Sequence, residues 1–264
     1  MENNPNYSTY RPFVTKTLKE CGEIVVGNLT TKPPDGVHLN EYVASLVNDK
    51  LRTSLLVEYP THNLFTKGSQ DIGNCEFEWI CDPLDGAFIY SKGFTNVALS
   101  MTLVHNGIPV LVGIELPFLG NTYIAQKGKG VTKNDTKLIP LRTKLEKFAM
   151  INAEWWPAAT YDVDRLVHSL SDKYHLYPIH IGSVVYSACM VAEGALVASL
   201  FGGLLIGKNH EAAAVMLLMQ EIGGQYTDLN GQAIGFTGAI HGFVISGNND
   251  VHDQLIVACK ALVK

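Results

Sequence analysis

The sequence contains no C-x-x-C pair, no run of lysine and arginine, no internal repeat and no low-complexity tract. Its five cysteines, Cys21, Cys75, Cys81, Cys189 and Cys259, are scattered and odd in number. That argues against a disulfide framework or a zinc finger and for free thiols in a reducing cytoplasm. Charged side chains make up only 17% of the chain, and the net charge is −5. With no basic patch, neither nucleic acid nor an anionic membrane is an expected partner. Long apolar runs are also missing: Gly194–Gly207 is interrupted by glycines and falls short of a membrane span. The first residues, MENNPNYSTYRPF, lack the apolar centre of a signal peptide, so a cytoplasmic location is expected.

What is present is a globular composition, 47% hydrophobic over 264 residues, enough for one large domain or two intimate ones. Apolar positions at Phe13, Leu18, Cys21, Ile24 and Val25 predict a helix over about 11–26. Lys32-Pro33-Pro34-Asp35-Gly36 breaks it, and Asn40 is expected to cap a second helix to about Leu51. Glu78–Cys81 reads as a short buried strand, and 96–104 with 108–116 as a hairpin turning at Asn106-Gly107. Strand 121–125 and the turn at 128–130 continue the sheet, and 134–143 reads as a surface connection. A second half then alternates: strand 147–152, helix 160–172, strand 179–181, helix 183–193, strand 196–201, helix 211–222, strand 243–246, helix 250–262. Such alternation points to an α/β (α+β) protein with layers of sheet and helix.

The chemistry concentrates in Asp82-Pro83-Leu84-Asp85-Gly86-Ala87. Two carboxylates three residues apart follow a buried strand. Together with a backbone carbonyl they offer hard oxygen ligands suited to Mg²⁺. The Gly86 and Ala87 amides would open a short helix, where a phosphate is favoured. On its own, D-x-x-D-G also describes an ordinary Asp-Gly turn.

The wider pattern resembles the inositol monophosphatase family. Asp82–Ala87 is similar to the signature D-P-[IL]-D-G-T, and Lys92-Gly93-Phe94 with Val97-Ala98-Leu99-Ser100 to its continuation. Gly113–Pro117 and Gly128-Lys129-Gly130 resemble the family's strand pair and turn. His210-Glu211-Ala212-Ala213-Ala214, followed by Glu221-Ile222-Gly223-Gly224, resembles the second signature, W-D-x-A-[AG]…E-A-G-G. The resemblance runs from about Phe13 to Leu262. It implies a layered αβαβα sandwich with an N-terminal half, 1–145, a C-terminal half, 146–264, and the active site between them. It also implies a homodimer acting on a small phosphorylated metabolite with Mg²⁺. Carried over, the metal ligands are Asp82, the carbonyl of Leu84, Asp85, Glu211 in place of an aspartate, and Glu41 at a weaker third position. Gly182 and Ser183 match a segment that lines the substrate site.

Two departures stand out. The family's F-P-x-H…G-E-E segment aligns with Tyr59-Pro60-Thr61-His62…Thr66-Lys67-Gly68, which puts Lys67 where a metal-binding, water-orienting glutamate belongs. Ala87 stands where the partner threonine belongs. An ammonium cannot ligate Mg²⁺; Lys67 is left to take the charge position of a metal, contact phosphate, or serve as base if its pKa is strongly lowered. Alternatively Leu55–Glu58 reads as a strand that ends in a carboxylate, with Glu58 as the missing ligand. The expectation is a phosphatase with an altered water-activating site. A silent ligand-binding homologue and a repurposed, non-hydrolytic enzyme stand as alternatives.

Overall fold

The computed structural model describes residues 6–66, 75–155, 159 and 162–262. They divide into two compact units, Met1–Lys137 and Leu138–Lys264. The division falls inside the connection expected at 134–143.

The first unit holds α1 (Arg11–Asn28), α2 (Leu39–Glu58), β1 (Asn63–Phe65), β2 (Phe77–Asp85), the single-turn α3 (Ala87–Tyr90), β3 (Ala98–His105), β4 (Ile108–Leu116), β5 (Asn121–Gln126), β6 (Gly130–Lys133) and β7 (Thr136–Lys137). Its seven strands lie in chain order. All neighbours are antiparallel except β1 and β2. The β3–β4 turn has both Asn106 and Gly107 at positive φ, which matches the twist of the flanking strands. Asn134 and Asp135 repeat that turn between β6 and β7, so part of the expected surface connection is a second hairpin. That pair lacks glycine, which hides the turn in the sequence.

One sheet face meets α1 and α2 through Val14, Leu18, Cys21 and Val25 and through Val43, Val47, Leu51 and Leu55. These positions recur every three or four residues, as a buried helix stripe requires. The helix α1 comes so close that a β-carbon on Gly113 would collide with Val14 and Leu18. Helix α2 differs from expectation at both ends. It starts at Leu39 without a side-chain cap from His38, and it continues to Glu58. Leu55–Glu58 is therefore its last turn and not a strand. Leu55 extends the stripe by four residues from Leu51, whereas Val57 is 78% exposed.

The second unit contains β8 (Met150–Trp155), α4 (Val163–Tyr174), β9 (Tyr177–Ile179), α5 (Val184–Glu193), β10 (Ala198–Ile206), α6 (His210–Ile222), β11 (Gln225–Thr227), β12 (Ala239–Ser246) and α7 (Asn249–Leu262). Its sheet has the order β11-β12-β10-β8-β9. Strand β8 is parallel to both β10 and β9, and β12 runs antiparallel to its neighbours. Helices α4, α5, α6 and α7 are capped by Asp162, Ser183, Asn209 and Asn248, whose side chains accept amides of the first turn. Gly194 and Gly223 end α5 and α6 in the left-handed conformation, as expected from the sequence. Strand β10 runs past the expected end at Phe201 because Gly202-Gly203 form a bulge instead of a stop. No helix among the described residues is long and apolar enough to cross a membrane. All five cysteines are free, and only Cys75 is exposed.

Candidate metal centre

Strand β2 continues four residues beyond its expected end at Cys81, through Pro83 to Asp85. Asp82 pairs with Ser100 and Asp85 with Ala98, so three steps on β2 match two on β3. In a regular strand, positions three apart point to opposite faces. The extra residue cancels that alternation and returns Asp85 to the side of Asp82. Asp82 Oδ1 accepts the Leu84 amide at 3.1 Å, which fixes the bulge locally. Both carboxylates are 5% exposed. Two buried acids brought to one side are hard oxygen donors of the kind that suit Mg²⁺.

Gly86 follows at φ 83°, a conformation that favours glycine, and starts α3. Tyr90 anchors this turn by donating its hydroxyl to the Val25 carbonyl at 2.8 Å. Ala87 is the first residue of the turn and supplies no hydroxyl.

Glu41 lies in the first turn of α2 and is exposed. Helix α2 packs on β2 and α3. Its C-terminal neighbour Tyr59 lies 5.8 Å from the Trp79 ring, and Asn48 hydrogen-bonds Thr66. Helix and strand thus run in opposite directions, which places Glu41 toward the Asp82–Asp85 end. Glu58 ends α2 at the other end and is exposed. The strand that follows, β1, enters the sheet beside Glu78. Asp82 and Asp85 lie roughly 13–23 Å further along β2 at ~3.3 Å per residue. Glu58 is not brought together with them. Lys67 and Gly68 lie outside the described residues.

In the second unit, Glu211 occupies the first turn of α6 and is half-buried. The helix N-terminus favours its negative charge. Burial, and then the Glu211 carboxylate, push the Tyr226 phenol well above its ordinary pKa.

The Gly182-Ser183 turn, expected to line the substrate site, is tied to an internal carboxylate. The Gly182 amide donates to Glu154 Oε1 at 2.9 Å, and the Ser183 amide also lowers the pKa of that carboxylate. Asn152 Nδ2 donates to the same oxygen at 2.9 Å, while Asn152 Oδ1 accepts the Ile181 amide. An internal carboxylate thus already holds the anion position at the start of α5. Burial raises the Glu154 pKa; the Asn152 bond, His180 and the two amides oppose this. Strand β9 ends at Ile179, and the Ile181 amide bonds the Asn152 side chain. Asn152 and Glu154 escaped sequence reasoning because alternate polar residues in a strand ordinarily face water.

The inositol monophosphatase family model matches residues 13–263. The chain belongs to the inositol monophosphatase family. Among curated relatives, a putative Nus factor SuhB from Neisseria meningitidis is 28% identical over 244 residues, 84% of this chain and 88% of that protein. An inositol-1-monophosphatase from Bacillus subtilis is 30% identical over 179 residues, 67% of this chain and 65% of that protein. The solved inositol monophosphatase structure from Anabaena (Nostoc) superposes with TM-score 0.81 at 21% identity, covering 98% of each chain. That likeness establishes the fold, and family membership supports phosphatase chemistry in general.

Proposed function

We propose that this chain is a Mg²⁺-dependent, phosphatase-like hydrolase of a small phosphorylated metabolite, a sugar, cyclitol or nucleotide monophosphate, with an altered water-activating site. The observation that carries the proposal is the bulge that turns Asp82 and Asp85 to one side of β2 while keeping both buried. Buried acids are costly without a cation, which makes a divalent ion the natural complement. In this reading Asp82, Asp85 and the Leu84 carbonyl hold the metal, with Glu211 and Glu41 as further acidic ligands. The ion supplies Lewis-acid charge for the phosphoryl oxygens and acidifies water. The chain's own groups do the rest: the Gly86 and Ala87 amides meet the phosphate, and Glu154 holds the Gly182-Ser183 turn, the segment that the resemblance assigns to the substrate site. In the sequence alignment Lys67 stands where the resemblance expects a metal-binding glutamate. The chain acts as a homodimer, as the resemblance implies.

The test is phosphate release from a panel of sugar, inositol and nucleotide monophosphates, with Mg²⁺ or chelator. Wild type is expected to release phosphate only with Mg²⁺, and Asp85→Asn is expected to lose at least ~10²-fold, the scale of one positioned catalytic group. No release above Asp85→Asn by folded wild type moves the balance to a second reading. In that reading the chain is a silent homologue with a Nus-factor type of role, favoured by Ala87 and by similarity to the putative Nus factor of Neisseria.

A further inference from the structure

The hydroxyls of Ser100 and Thr102 on β3 are each at most 1% exposed, and neither has a hydrogen-bond partner among the described residues. A buried polar group without a partner is unfavourable and calls for an explanation. The two are nearly matched. They share a strand and, two residues apart, a face. They differ in what lies across the ladder: Thr102 faces Ile80, whereas Ser100 faces Asp82. Directly opposed side chains have β-carbons about 4.5–5.5 Å apart. At that separation a seryl hydroxyl and an aspartate carboxylate are within reach of one hydrogen bond.

We infer that Ser100 is a positioning residue for Asp82. When a divalent cation binds, its hydroxyl donates to Asp82 and holds the carboxylate in the ligating orientation. This rests on the metal reading proposed above. It gives a role to a buried hydroxyl that has no partner in the apo fold. Outer hydrogen bonds of this kind orient metal ligands, and their loss typically costs 10–100-fold in affinity. The inference also separates two roles that usually coincide. A hydroxyl serving the apo fold would stabilise the protein without metal, and this one has no partner there to do so.

The experiment is Mn²⁺ titration by electron paramagnetic resonance, with thermal unfolding in chelator, for wild type, Ser100→Ala, Ser100→Thr and Thr102→Val. Ser100→Ala is expected to weaken Mn²⁺ at least ~10-fold while leaving the chelated protein's Tm unchanged or raised. Ser100→Thr restores the hydroxyl and recovers affinity, and Thr102→Val binds as wild type does. Equal Mn²⁺ affinity in wild type and Ser100→Ala overturns the inference while leaving the metal reading intact. Equal weakening in Ser100→Ala and Thr102→Val overturns it too, because strand polarity and not contact with Asp82 would then be responsible. A wild type that binds no Mn²⁺ overturns the metal reading and this inference with it.

Discussion

At the scale of single residues, the site is defined as much by replacements as by what is kept. By the resemblance, Asp82 and Asp85 keep the family pattern, while Ala87 and Lys67 align with a threonine and a glutamate expected to orient water. If those two positions limit the rate, the double change Lys67→Glu with Ala87→Thr raises Mg²⁺-dependent phosphate release by ~10²-fold or more, since each positioned group contributes on that order. A rate unchanged from wild type would place water activation elsewhere. His252 supports a pH prediction. It is buried on α7, with Nε2 2.8 Å from Thr227 Oγ1 and Nδ1 3.0 Å from Ser246 Oγ. Burial lowers its pKa from the ordinary 6.5, and Asp253 opposes that shift. Between 6.5 and the lower folded value, the unfolded chain binds a proton that the folded chain refuses. This contribution is fully present above 6.5 and is lost as the pH falls through the folded value. His62, also lowered by burial, acts in the same direction. Urea midpoints are expected to fall from pH 7 toward pH 5, and His252→Gln should flatten part of that slope; parallel profiles would contradict the assignment.

At the scale of elements, regular segments were legible and exceptions to regularity were not. The stripes of α1 and α2, the Asn106-Gly107 hairpin, and the Ser183 and Gly194 ends of α5 all follow from spacing and cap chemistry. Leu55–Glu58 misled because a short apolar run has no period of its own; the stripe begun at Val43 decides it. The β2 bulge was invisible for the opposite reason. Asp-Pro-Leu-Asp marks a break, yet the pairing register that turns both acids to one side comes from β3, a distant segment. Glu154 was hidden in the same way, since its partners Gly182 and Ser183 lie almost thirty residues away. Close packing of α1 makes its own prediction. Gly113→Ala forces a methyl against Val14 and Leu18 and should cost about 1–3 kcal/mol in chemical denaturation. A loss below about 0.5 kcal/mol, the range of an unconstrained surface change, would mean that α1 does not rest on that glycine.

At the scale of the whole molecule, the family match over 13–263 and the superposition with the Anabaena structure fix the architecture. They leave the chemistry to the residues at the ends of particular strands and helices, because one fold hosts both active and altered sites. The relatives include an inositol-1-monophosphatase and a putative Nus factor, two different roles. The claim that this chain uses its acidic cluster for metal-dependent hydrolysis is tested most directly by phosphate release from the monophosphate panel, with Mg²⁺ removed by chelator and then restored. The account predicts release that stops on removal, returns on restoration, and is abolished in Asp85→Asn. Release that persists in chelator, or that Asp85→Asn retains in full, would contradict it.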